Sequence, residues 1–263
     1  MNNNVLNWLL WVGVIAINAL ANILPINGMN TGQISGFYPN YFVPAGFTFG
    51  IWSIIYLLLL AYTIACSYYT RKKEAFTGIQ AYLKTINPYS WATCLLNGSW
   101  ILAWHYLQIS LSVAIMLGFL FCLIRIFQLS IPHYKTFSFG QRITLHAPFV
   151  VYAGWISVAT IANITAWLVD KHWTGWNIPG PVWSTLMIAI AILLGIYITL
   201  RYAVSAYALV IAWALWGIYK GQGPNNEMLA LAPLIGLVIL LFLSLLVFVM
   251  NLKKQSAPSK QQR

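Results

Sequence analysis

The chain is built from apolar runs of about twenty residues, separated by short polar breaks that often carry glycine or proline. A run of that length crosses a hydrocarbon core of roughly 30 Å at about 1.5 Å per helical residue. The pattern predicts spans near residues 5–24, 44–69, 89–108, 111–130, 144–168, 182–200, 202–219 and 229–250. Helices are expected, because an open sheet would leave unpaired backbone groups in lipid and the alternation that a barrel needs is absent. The boundary near Arg201 is set by length. A single helix over residues 182–219 would reach about 57 Å, so a tight re-entry at Leu200–Tyr202 is expected.

Composition turns this pattern into a fold class. The chain is 60% apolar and 6% charged, whereas a soluble domain carries about 25% charged residues. A water-facing surface cannot be made from so few charges, but a bundle solvated by lipid can. The expected fold is therefore an all-α integral membrane bundle of about eight helices. In a soluble protein the formal charge of +11 would suggest nucleic acid. Here the lipid bilayer is the expected partner, and no nucleic acid is.

The position of the basic residues sets the topology. With a cytoplasmic N-terminus, the inner segments hold Arg71, Lys72, Lys73, Lys84, Arg125, Lys135, Arg142, Arg201, Lys253, Lys254, Lys260 and Arg263. The outer segments hold only Lys171 and Lys220. That bias favours the inside and requires an even number of spans. Both termini are expected to be cytoplasmic, in a bacterial plasma membrane. Ala19-Leu20-Ala21 resembles a signal-peptidase site, but Met1–Asn4 lacks the basic residue of a signal peptide, so the first run is expected to remain as a span.

Charge also narrows the chemistry. Ion-driven transporters usually keep an ionisable group at membrane depth, yet Glu74, Asp170 and Glu227 all fall in predicted loops. Paired carboxylates and a phosphate-binding glycine loop are absent. Cys66, Cys94 and Cys122 lie on different spans without CxxC spacing, which reads as buried thiols. Arg125 and Arg142 are near enough to the inner face to snorkel. His133, His146 and His172 fall at interfaces or in loops, and His105 reads as a hydrogen-bonded packing residue. No catalytic residue, metal site or cofactor is expected.

What remains is polar without charge, and aromatic. Asn18, Asn22, Asn97 and Asn163 lie within spans, where a buried amide must find a partner. Such an amide can bond a neighbouring helix or orient a ligand in an aromatic-walled cavity. Trp52 and Trp100 are each expected about 12 Å below the outer face, and Trp155 near mid-membrane. These depths are too great for an interfacial belt, which leaves core packing or ligand stacking. Tyr56 shares a helix face with Trp52, as Asn97 and Trp104 do with Trp100.

At these residues the sequence resembles the TspO/MBR family, the tryptophan-rich sensory proteins. Pro39-Asn40-Tyr41-Phe42-Val43-Pro44 occupies the place of that family's KPxWxPP loop, and Trp52-Ser53-Ile54-Ile55-Tyr56 supplies its W-x-x-L-Y helix in the form W-x-x-φ-Y, with Ile55 at the leucine position. Leu96-Asn97-Gly98-Ser99-Trp100 matches L-N-x-x-W. Trp155, Ala159 and Asn163 match W-x-x-x-A-x-x-x-N. Gly32 and Gln33 replace the loop's Trp-Tyr pair, and Ile161 stands where animal members have the tyrosine of their sterol motif.

The resemblance covers roughly residues 5–168. It implies a five-helix TspO-like domain over residues 1–168, three additional helices over 169–250 and a basic cytoplasmic tail over 251–263. It further implies a small hydrophobic or porphyrin-like (tetrapyrrole) ligand, held in an outer-half cavity between spans one, two, three and five, in a sensory or transport role. Trp52, Tyr56, Trp100 and Trp155 would wall the site, Asn97 and Asn163 would orient the ligand, and Tyr41 would close the lid. A second copy could complete a homodimer. The competing class is a permease or membrane enzyme that uses the C-terminal helices.

Overall fold

The computed structural model describes residues 3–72 and 76–256. Lys73, Glu74 and the basic tail beyond Ser256 lie outside the described residues. Eight long helices run in order: α1 (Asn3–Asn22), α2 (Ile51–Arg71), α3 (Thr77–His105), α4 (Ile109–Tyr134), α5 (Ala147–Asp170), α6 (Gly180–Tyr202), α7 (Ser205–Gln222) and α8 (Glu227–Ser256). No strand is present among the described residues. Six of the eight are long and apolar enough to cross a membrane by length and composition; α3 and α7 are the two that are not.

The exceptions have a physical reason. Helix α3 buries Asn87, Ser90, Thr93, Asn97 and His105 against its neighbours, and α7 has only 18 residues and buries half of them. Helices surrounded by other helices need less apolar surface than those that face lipid.

Several boundaries differ from expectation. Helix α3 starts twelve residues before position 89, because Pro88 is accommodated inside it. The α-helix expected from Pro44 begins only at Ile51, after a 3₁₀ segment, Gly46–Gly50. Pro44 therefore lies in the loop, and Trp52 is in the first turn of α2. The re-entry expected at Leu200–Tyr202 falls at Ala203–Val204, where Ala203 adopts φ 56°. Neither Gly nor Pro marks this turn. Instead Asn251 Nδ2 of α8 caps it by donating to the Ala203 carbonyl at 2.9 Å.

Packing is sequential. Helix α1 lies on α2 and α3, α3 on α4, α4 on α5, and α7 sits among α5, α6 and α8. One end of the bundle carries the first loop (23–50) and is called the lid end below. The opposite end holds Arg71, Lys72, Lys84, Arg125, Lys135, Arg142, Arg201 and Lys253 and is called the basic end. The two acids of the described residues, Asp170 and Glu227, are both at the lid end.

Candidate functional site: an aromatic cavity at the lid end

The site starts from the first loop. Asn30 caps a short helix, Thr31–Ser35, by a reciprocal capping box with Gln33. This gives a local role to the glutamine that departs from the family's loop pattern. The short helix is tied to α3. Thr31 Oγ1 lies 3.2 Å from His105 Nε2, Trp104 Nε1 donates to the Thr31 carbonyl at 3.2 Å, and Asn27 Nδ2 donates to the His105 carbonyl at 3.0 Å. His105 Nδ1 lies 3.0 Å from the Ile26 carbonyl. His105 is thus the hydrogen-bonded packing residue its sequence context suggests.

Further along, the loop is held by α7. Ala45 N–H donates to the Gly217 carbonyl at 2.9 Å, Trp213 Nε1 to the Thr48 carbonyl at 2.9 Å, and Gln222 Nε2 to the Val43 carbonyl at 3.0 Å. Gly217 is required by proximity, since a Cβ there would overlap the Thr48 side chain. Burial pushes the Tyr38 hydroxyl above its ordinary pKa, and the Asp170 carboxylate adds to the rise.

Beneath this loop, α2, α3 and α5 enclose a cavity of about 60 Å³. Trp52, Trp100, Trp104, Trp155 and Phe49 wall it, with Pro44 and Thr31 above and Asn163 at one side. Trp100 and Trp104 stack at 5.7 Å and 18°. Trp52 and Phe49 meet Trp155 edge-on at 6.2 and 6.1 Å. A cleft of about 580 Å³ between α1 and α2 adjoins the cavity and shares Thr31, Phe49 and Trp52 with it. Those two rings are the partition between the spaces. Asn18, Asn22, Asn30, Ser53 and Tyr56 supply the polar part of the cleft.

The expected residues therefore divide. Trp52, Trp100, Trp155 and Asn163 converge on the cavity. Tyr56 lies in the adjoining cleft, stacked on Trp52 at 5.6 Å. Asn97 reaches neither space. It is fully buried, accepting from Asn18 Nδ2 at 2.8 Å and donating to the Tyr152 hydroxyl at 2.7 Å. It joins α1, α3 and α5 and has no room to orient a ligand. Asn163 lines the cavity, but its amide accepts from Trp100 Nε1 at 2.7 Å and donates to Ser112 Oγ at 2.9 Å. Its role is to hold Trp100. Tyr41 faces away, half-exposed, into a separate pocket of about 450 Å³ beside Trp173 and Trp183, between α5 and α6.

Phe49 and the α7 anchors were not foreseen. Phe49 follows the loop pattern in a 3₁₀ turn that read as helix, and the α7 residues lie some 170 positions from the loop they hold. Two polar atoms carry the most information. Trp155 Nε1 and the Tyr56 hydroxyl are buried and have no hydrogen-bond partner, a costly state for a donor within a low-dielectric interior.

The arrangement defines a class, an all-helical integral membrane protein with an aromatic-walled cavity under a loop lid. Within that class the chain belongs to the TSPO-like protein family, whose model matches residues 4–247. The match runs beyond the five helices that carry the recognised motifs and through α6, α7 and most of α8. Neither a curated protein nor a solved structure matches the chain.

Proposed function

We propose that the protein binds a small hydrophobic, planar ligand of porphyrin-like size at the lid end, in a sensory or transport role. The observation that carries this reading is the convergence of Trp52, Trp100 and Trp155 on one space, with the buried Trp155 N–H left without an acceptor. The closed cavity is smaller than the roughly 300–1,000 Å³ of a typical ligand site. The adjoining cleft is within that range, and the two share Thr31 and the Phe49 and Trp52 rings. A ligand entering the cleft between α1 and α2 would meet the Tyr56 hydroxyl, displace those rings and present an acceptor to Trp155.

The same reading puts the protein in a bacterial plasma membrane with the basic end and both termini cytoplasmic, as the positive-inside bias favours. A second copy would associate through lipid-facing helices. The permease or enzyme alternative finds less support, because charged side chains in the described residues of α6–α8 are confined to the helix ends, at Arg201, Lys220, Glu227 and Lys253.

The test is to purify the protein in mild detergent and identify small molecules retained with it by mass spectrometry after extraction. A retained planar hydrophobe with a hydrogen-bond acceptor supports the reading. A preparation that retains none, and that added porphyrins and other planar hydrophobes fail to stabilise against heat, overturns it.

A further inference from the structure

The basic end holds a second built site that the ligand cavity does not use. Between α4 and α5 the chain makes one π-helical turn, Arg142–His146, a local form often found at functional positions. That turn faces a pocket of about 250 Å³, bounded on its other sides by the start of α7 and the last turns of α8. Arg142 lies over the Tyr134 ring at 4.8 Å and donates through Nε to the Tyr134 carbonyl at 3.1 Å. The guanidinium is thereby held at the pocket wall with donor capacity remaining, since Arg carries five N–H groups.

His146 gives the second observation. It is 3% exposed, it is part of the pocket wall, and its Nε2 has no partner. Its other ring nitrogen, Nδ1, lies 2.9 Å from Ser130 Oγ. Ser130 Oγ also lies 2.8 Å from the Phe127 carbonyl; with the hydroxyl hydrogen donated there, the ring is the donor in the contact with Ser130. A neutral imidazole with its proton on Nδ1 has a bare lone pair on Nε2. That lone pair is on the side of the ring turned from Ser130. It asks for an O–H or N–H donor.

The third feature is charge. Helix α7 begins at Val204–Ser205 with no side-chain cap, and Val204, Ser205 and Ala206 line the pocket, so the positive end of its dipole lies at the pocket wall. Lys253 is near on α8, and no acid of the described residues is at this end. Phe139, Phe248 and Leu252 continue the pocket outward as exposed apolar surface. An occupant must therefore be anionic, offer a hydroxyl beside its anion, and carry an apolar body.

We propose that this pocket holds the headgroup of an anionic phospholipid whose phosphate bears a hydroxylated substituent. The phosphate sits against Arg142 and the α7 N-terminus, a headgroup hydroxyl donates to His146 Nε2, and the acyl chains lie along Phe139 and Phe248.

Native mass spectrometry of the detergent-purified protein, titrated with single lipids, tests this. Phosphatidylglycerol should bind roughly tenfold more tightly than phosphatidylmethanol, which is anionic but lacks the hydroxyl, and more tightly still than phosphatidylcholine, which lacks both the hydroxyl and the net charge. Soluble glycerol 3-phosphate should not displace it at equal concentration; displacement would assign the site to a free phosphate and overturn the lipid reading. Arg142→Gln should abolish the preference of phosphatidylmethanol over phosphatidylcholine, and His146→Phe the preference of phosphatidylglycerol over phosphatidylmethanol. Lys84→Gln, an exposed change at the same end, should alter neither. Equal binding of the three lipids by the unmodified protein would sink the proposal without recourse to any variant. An equal loss in Lys84→Gln would reduce it to diffuse surface charge.

Discussion

Helices α1–α5 and α6–α8 are both apolar bundles, but they are held together by different means. In the first five, buried amides and phenols bond across helices. Asn18–Asn97–Tyr152 joins α1, α3 and α5; Trp100–Asn163–Ser112 joins α3, α5 and α4; Tyr62 donates to Asn87 between α2 and α3. In the last three, the buried polar side chains include Ser184, Thr199 and Ser244; Ser244 Oγ bonds the Leu240 carbonyl of its own helix at 2.7 Å and reaches α7 only at 3.3 Å, at the Ser205 carbonyl. Close approach does the work there. Gly195 admits Leu240, and Gly236 admits Ile192. Directional bonds position the aromatic walls of the cavity, whereas shape fit docks the helices that brace its lid.

The largest effect is expected where the two regimes meet. Gly217→Leu would drive a side chain into Thr48 and separate the loop from α7. It should cost about 3 kcal/mol, the upper part of the range for overpacking. Thermal unfolding in detergent checks this, and a loss below 1 kcal/mol would show that α7 does not brace the lid.

A paired measurement sharpens the contrast further. Asn97→Ala removes a bond to each of two other helices and should cost about 1–2 kcal/mol, above the membrane average of about 0.6 per contact. Ser244→Ala removes a bond to its own helix and one long contact, 3.3 Å, with the Ser205 carbonyl of α7, and should cost under about 0.6 kcal/mol. Equal losses would mean that the two halves are stabilised alike.

These contrasts also show what was legible in the sequence. The eight helices were, six of them as apolar runs with the length of a bilayer and α3 and α7 as less apolar runs between them. Trp100 and Trp155 were too, as large rings within predicted spans, whereas Trp52 reaches the same cavity from the first turn of α2, not from the depth that counting from Pro44 gives. The partners of the amides were not. An Asn in a span announces that it needs a bond, but whether it meets a ligand or another helix depends on which residues face it from elements far away in sequence. Asn97 met Asn18 and Tyr152, and Asn163 met Trp100 and Ser112. The α7 brace was equally hidden, because Gly217 and Gln222 carry no signal until Val43–Thr48 is seen against them. Pro44 read as the first residue of a helix, since proline suits that position, but a 3₁₀ turn intervenes.

Pro44→Ala has the smallest expected effect on the fold. In the loop its ring only restricts the unfolded chain, so its loss should lower stability by about 0.5 kcal/mol. Melting curves would check it, and a loss above 2 kcal/mol would make Pro44 a packing residue rather than part of the lid.

The most direct test of the ligand cavity compares Trp155→Phe with Trp183→Phe in fluorescence titrations against a porphyrin, with a melting curve for each. Trp155→Phe keeps an aromatic ring and removes a buried N–H that has no partner, so stability should stay within about 0.5 kcal/mol of the unmodified protein or rise. Its porphyrin affinity should fall roughly three- to tenfold as the ligand loses its donor. Trp183→Phe, at the separate pocket between α5 and α6, should leave the affinity unchanged. The reverse pattern, with affinity lost at Trp183 and kept at Trp155, would contradict the account and move the site to the pocket that Tyr41 lines.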